Sequence, residues 1–273
     1  MDWSLVLASQ GIDHRIDHDA ETGWTLAVAE VDHERARAQI EQYQLENRHW
    51  RWRRPVFSPG LFFDWTCVAW VLLVIGFYGW SEVRDLRGPG MMTQAALAQG
   101  EWWRLFTATW LHADPAHLTM NAVFGFLFLG LVMGNYGPGM GALAALLAGA
   151  GGNVLSGAIH GPGLHGLGAS GVVMGALGLL TFPPLILPRG RSAAIRLLGS
   201  GLLAGGLIFV MIGVNPGTDV IAHLGGFVTG WLLGGLLTSL ARYTRRPAVN
   251  VVAGLFCVIL IFVPWALALT RPN

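Results

Sequence analysis

Lysine is missing altogether: the 17 basic residues of this 273-residue chain are all arginine. Charge of either sign is scarce, at 12% of residues against about 25% in an ordinary soluble domain. The formal net charge of +1 leaves no basic footprint for nucleic acid, so no nucleic-acid partner is expected. Cysteine occurs twice, as Cys67 and Cys257 within apolar runs, and neither a disulfide framework nor a cysteine metal site can be read from it. The start, Met1-Asp2-Trp3, lacks the positive region and apolar core of a secretory signal, so insertion is expected to be directed by the first internal span. No H-E-x-x-H occurs and no histidine has an acidic neighbour spaced as a ligand, which removes the metallopeptidase reading. The nucleophile elbow of soluble hydrolases is also missing, because Val172 stands where its last glycine belongs. A transporter would show repeated halves and helices interrupted near mid-membrane, and neither is found.

What the chain does contain is apolar: 53% of residues are hydrophobic and 38 are glycine. That balance suits helices in lipid, which approach one another through small side chains. Residues 1–55 are the exception, with short apolar runs and frequent charges, and read as a small soluble α+β domain. Ser4 to Gln10 predicts a helix stopped by Gly11, His14 to His18 and Trp24 to Ala29 predict strands about a Glu21-Thr22-Gly23 turn, and a second helix follows. Asp32 is its expected cap, and Ala36, Ile40, Tyr43 and Asn47 trace one face. Trp50, Arg51, Trp52, Arg53 and Arg54 then form an interfacial anchor of the kind found on the cytoplasmic side of a span, and the membrane begins after Pro59. Seven apolar stretches follow, at residues 62–80, 117–136, 139–159, 169–188, 196–213, 220–240 and 249–269, each near the ~17–25 residues that cross a bilayer. With the first domain in the cytoplasm, the loops carrying Arg189, Arg191 and Arg196, and Arg242, Arg245 and Arg246, also fall inside. Arg84, Arg87 and Arg104, in the loop after the first span, run against that topology.

Polar groups inside spans need a partner or a task. His117 and Asn121, Ser170, and His223 lie in the opening turns of spans two, four and six, which all run inward from one face. At ~1.5 Å per residue they sit roughly 2–6 Å below the helix ends, sheltered yet within reach of water. Taken singly, Ser170 is better read as a small residue at a helix contact, Asn121 as interhelical glue and His223 as a satisfied core histidine. Taken together at one depth, they supply a nucleophile, a base and donors for an oxyanion. Ser170 needs His223 to take its proton; His117 and Asn121, one helical turn apart, and the Ser170 backbone N–H would hold the negative oxygen. Asp219 precedes His223 by one turn but reads as a helix cap, which leaves a dyad rather than a triad.

These residues resemble the rhomboid family of intramembrane serine proteases. The likeness lies in Trp103-Arg104, in the H-x4-H-x3-N run of His112, His117 and Asn121, in Gly168-Ala169-Ser170-Gly171, and in Ala222-His223-Leu224-Gly225-Gly226 followed by Gly230. It covers roughly residues 61–240 and implies an α-helical polytopic membrane protein: a six-helix rhomboid-like bundle, a further transmembrane helix within 241–273, and the small amino-terminal domain in the cytoplasm. By resemblance Ser170 is the nucleophile, His223 the base, His117 and Asn121 the oxyanion donors, and Gly168 shapes the hole. His112 is then a supporting residue, Trp103-Arg104 part of a loop in the outer leaflet, and Gly226 and Gly230 let span six pack on span four. The family implies single-span membrane proteins as substrates, no cofactor or metal, and a bacterial inner membrane. The chain departs from it where members often carry a glutamate near the inner end of span two, here Gly130 to Asn135, and in its seventh span. His160 and His165 read as solvated loop residues. The competing reading is a non-catalytic rhomboid-like protein that binds unstable transmembrane helices, against which the presence of both Ser170 and His223 argues.

Overall fold

The computed structural model describes residues 2–19, 23–47, 62–182, 191–215, 217–244 and 246–270. The expected anchor of Trp50 to Arg54, Pro59, and Arg189 and Arg245 lie outside them. The chain divides into two compact units, residues 1–60 and 61–273.

In the first unit, α1 (Asp2–Ser9), β1 (His14–Asp19), β2 (Gly23–Val28) and α2 (His33–Glu46) follow the predicted order. Gly11 ends α1 in the left-handed region at φ +64°, while the Ile12 amide donates back to the Leu7 carbonyl at 3.0 Å. The strands are antiparallel with Ile16 opposite Leu26 and His14 opposite Val28. Leu7, Ile12 and Ala36 are buried, with Leu26, Val28 and Ile40 packed around them. Asp32 occupies the position before α2 but makes no capping bond. The correction has a local cause: residues Glu30–Asp32 form a 3-10 turn, which puts Asp32 in a helical rather than an extended conformation.

The second unit is helical. Its elements are α3 (Cys67–Val83), α4 (Arg87–Gly90), β3 (Met92–Thr93), α5 (Gln94–Ala98), α6 (Arg104–Thr107), α7 (Pro115–Tyr136), α8 (Pro138–Ile159), β4 (His165–Gly166), α9 (Ser170–Thr181), α10 (Arg191–Gly213), α11 (Val220–Ser239), α12 (Ala241–Thr244) and α13 (Pro247–Thr270). Among the described residues, α7, α8, α10, α11 and α13 are long and apolar enough to cross a membrane, while α3 and α9 are shorter. Their number and apolar length are those of a multi-pass integral membrane protein. Span four is the largest departure from the expected boundaries. Its helix stops at Thr181 because Phe182 precedes Pro183 and is extended, at φ −89° and ψ 119°, as the proline ring demands of the residue before it.

At twelve residues α9 is about 18 Å long. It is buried along nearly its whole length and packs against α7, α8, α10 and α11. Glycine makes this closeness possible. A Cβ on Gly230 would lie 2.0 Å from the Gly175 carbonyl oxygen, one on Gly226 2.4 Å from that of Gly171, and one on Gly178 2.1 Å from that of Phe227. Helices α9 and α11 therefore touch backbone to backbone. α8 joins them, with Gly152 against the Ala222 carbonyl and Gly149 against Val172. At the far end of α7, Gly130 and Gly134 seat Phe62 and Phe63, so aromatic chain fills the place where a glutamate was looked for. α10 is held along one edge, where Gly201 and Gly205 meet Thr181, and exposes most of its surface elsewhere.

Candidate active site

The amino termini of α7, α9 and α11 gather at one end of the bundle. Arg196 near the start of α10, and Arg242 and Arg246 around α12, fall at the other. α7 begins sharply because Asp114 accepts from the His117 amide at 2.8 Å and Pro115 takes the first helical position, where a missing N–H costs nothing. That same bond from the His117 amide is what holds the Asp114 carboxyl below its usual pKa. α11 begins in the same way: Asp219 accepts from the Ala222 amide at 2.9 Å, the capping role its position suggests. Its second oxygen accepts from the Ser156 hydroxyl of α8, which commits Asp219 to structure on both sides.

Ser170 opens α9 and is half-buried. The loop before it is pinned by the Gly168 amide, which donates to the Ala108 carbonyl at 2.9 Å. Gly168 has φ +127°, and a Cβ there would sit 2.6 Å from Cε1 and 2.8 Å from Nε2 of His117, and 3.6 Å from Ser170 Oγ. The His117 imidazole and the Ser170 hydroxyl thus flank this glycine, and no other residue fits between them. One turn along α7, Asn121 is buried and its Nδ2 has no hydrogen-bond partner among the described residues. A buried amide donor without an acceptor is costly, and an anionic oxygen delivered to the site would satisfy it.

His223 is 4% exposed and lies on the turn of α11, Ala222 to Gly226, that abuts Gly171. Its Nδ1 stands 2.7 Å from the Gly213 carbonyl oxygen at the end of α10. A carbonyl only accepts, so Nδ1 carries the proton and Nε2 is left with a lone pair, the tautomer of a general base. Nothing in the sequence could have marked this partner, since a backbone carbonyl has no residue signature. The α7 and α11 sides of the site are joined through the start of α9, where Gly168 meets the His117 ring and Gly171 meets Gly226.

His112 is fully buried, its ring edge-on to that of His117 with centroids 5.2 Å apart, and neither of its nitrogens has a hydrogen-bond partner among the described residues. Burial pushes its pKa down to about 4, so it is neutral at physiological pH. The unfolded chain takes up this proton near 6.5 and the folded one only near 4, so stability is complete above the first value and is lost as pH falls between the two. A shift of that size corresponds to about 3 kcal/mol. The thermal midpoint of the detergent-solubilised protein should fall between pH 6.5 and pH 4, and His112→Gln should make that slope visibly shallower. An unchanged slope would remove His112 as its cause.

The loop between α3 and α7 is ordered by its arginines. Trp103 is buried. Arg104 donates to the carbonyls of Gly88 at 2.8 Å and Met91 at 2.6 Å and pairs with Glu101 at 2.5 Å. Arg87 donates to the carbonyls of His112 at 3.1 Å and Ala113 at 2.9 Å, directly ahead of α7. Two of the three arginines that run against the charge topology are therefore spent on loop carbonyls. That misplacement was the one signal in the sequence by which Arg87 could have been noticed. Asn153 of α8 adds a bond to the Leu105 carbonyl at 2.7 Å, and β3 pairs with β4, joining this loop to the one before Ser170. His160 stays at the end of α8 against Ser156, and His165 is exposed. Among the described residues, no three histidine, cysteine or acidic side chains cluster so as to hold a metal ion.

Residues 99–240, just over half of the chain, match the family model described as the Rhomboid domain. The chain is 34% identical over 181 residues to RHOMBOID-like protein 4 of Arabidopsis thaliana, an alignment covering 62% of this chain and 45% of that protein. It is 30% identical over 196 residues to the rhomboid protease GluP of Bacillus subtilis, covering 71% of this chain and 37% of that one. It is 32% identical over 139 residues to the putative rhomboid protease YdcA of the same organism, covering 50% and 68%. The chain thus spans less than half the length of the first two.

Proposed function

This chain belongs to the rhomboid family, and from that premise and the geometry above we propose that it is an intramembrane serine endopeptidase, hydrolysing peptide bonds in or near the transmembrane segments of single-span membrane proteins. Ser170 Oγ attacks the scissile carbonyl carbon while its proton passes to His223 Nε2. The resulting oxyanion is held by His117, Asn121 and the Ser170 amide. His223 then gives its proton to the leaving amine, the peptide bond breaks, and a water activated by the same imidazole releases the acyl group from Ser170. The observation that carries this reading is the buried Nδ2 of Asn121, without a partner among the described residues, on the helix whose His117 ring is pressed against Gly168 beside Ser170.

The amino-terminal domain (residues 1–55) lies in the cytoplasm in this reading, the protease core is residues 61–240, and residues 241–273 add a cytoplasmic turn and a seventh span. Arginines gathered at the bundle end away from the site support that orientation, and the membrane proposed is a bacterial inner one. The decisive experiment places the full chain in liposomes with a fluorescent single-span fusion protein and, separately, with a fluorophosphonate. Cleavage in or beside the transmembrane segment and a phosphonyl adduct on Ser170 are expected. An adduct on another residue, or as much product from Ser170→Ala as from the wild type, overturns the assignment. Stable capture of intact single-span protein without any adduct would mark a helix-binding rhomboid-like protein instead.

A further inference from the structure

α13 packs against α8, α6 and α4 and is fixed at its beginning. Asn250 sits against Gly137 and Gly139, accepts from the Met140 amide of α8 at 3.1 Å and donates to the Thr244 carbonyl at 2.7 Å. Toward its other end, Trp265 is 4% exposed and packs against Phe77 and Trp80, its ring tilted to theirs, at centroid distances of 5.4 and 6.5 Å. The edge of that indole meets α4: a Cβ on Gly90 would be 2.6 Å from the Trp265 ring and 3.1 Å from Leu111, so Gly90 is sandwiched between the two. At the opposite end of the same four residues, Arg87 holds the carbonyls of His112 and Ala113, and Asp114, the next residue, caps α7 on the His117 amide. A continuous line of contacts therefore runs from α13 through α4 to the first turn of α7.

We propose that the seventh membrane helix sets the position of the oxyanion donors, with α4 as the strut: Trp265 seats Gly90, and Arg87 carries that position to the chain that opens α7. This rests on the reading of His117 and Asn121 as oxyanion donors. Trp265 and Arg87 are positioning residues that touch no substrate. The indole acts by its bulk, since its N–H is buried without a partner among the described residues and contributes nothing that phenylalanine would lose. Arg87 acts through Nη2 alone, which donates to both adjacent carbonyls from the end of a long side chain, a reach that glutamine lacks.

The test uses the full chain in liposomes and the rate of Ser170 phosphonylation by a fluorophosphonate, which needs the same donors and no natural substrate. Trp265→Ala and Arg87→Gln should each lower the maximal labelling rate about tenfold, less than outright loss of a donor, with the half-saturating concentration changed less than about threefold. Trp265→Phe should keep at least about half the wild-type rate. In an Asn121→Ala background the further loss from either strut variant should shrink to about threefold or less, because part of what the strut positions is already gone. A purely structural role predicts the same factor in both backgrounds, and that result, or no loss at all, overturns the proposal. Arg87 is 44% exposed, so Arg87→Gln carries the test should Trp265→Ala fail to fold. If the wild type does not label at Ser170, the reading of the site has failed. If it labels and Asn121→Ala slows it while the strut variants do not, only the present inference has.

Discussion

His223→Ala is expected to cut proteolysis by at least about ten-thousandfold, Ser170→Ala by as much, and the double variant by no more than either alone. The three results belong together because in the proposed mechanism the two side chains act on one proton. Without an acceptor the hydroxyl at residue 170 is a poor nucleophile, and without the hydroxyl the imidazole has nothing to activate. The geometry sharpens this expectation. Nδ1 is committed to the Gly213 carbonyl at 2.7 Å, so only Nε2 can serve as base, and His223→Asn, whose amide nitrogen takes the place of Nδ1 and can still donate to that carbonyl, should be as inactive as alanine. Cleavage of a single-span fusion in liposomes, with thermal melts to show that each variant is folded, measures this. Losses that multiplied in the double variant would mean that the two residues do separate work.

Gly230→Ala should destabilise the bundle by at least about 3 kcal/mol, at the top of the range for overpacking, while Gly206→Ala should be neutral or mildly stabilising. Both substitutions add one methyl group to a glycine within a membrane helix. At residue 230 the methyl would lie 2.0 Å from the Gly175 carbonyl oxygen and 2.8 Å from its carbon, and neither belongs to a side chain that can rotate away. Relief requires α9 and α11 to separate, and that movement draws His223 from Ser170, so activity should fall with stability. At residue 206 nothing among the described residues lies within 4 Å, and the substitution only removes backbone freedom from the unfolded chain. Thermal midpoints in detergent that were equal for the two variants would refute the account of the helix seam.

The long helices were legible because their apolar length is set by the bilayer. The stretches read at 117–136, 139–159 and 220–240 are α7, α8 and α11 to within two residues at either end. Residue types in the opening turns of α7, α9 and α11 gave the candidate site, since serine, histidine and asparagine at one depth have little structural reason to coincide. The loop between α3 and α7 was not legible. Its helices, of four and five residues, have no periodicity to detect, and its order comes from Arg87, Arg104 and Thr107 donating to carbonyls far along the chain. Asp219 could be read as a cap because the residues after it are plainly a helix, whereas Asp32 was misread because a 3-10 turn intervenes. The early end of α9 could have been taken from Pro183 alone.

The acceptor that orients His223 belongs to α10, which shows lipid most of its surface and meets its neighbours along a single edge. A helix so attached is the easiest to swing aside, yet its last carbonyl must stay where it is if the His223 proton is to stay on Nδ1. Any sideways opening on that flank is therefore compatible with chemistry only as a hinge about residue 213, wide at the distant end and still at the near one.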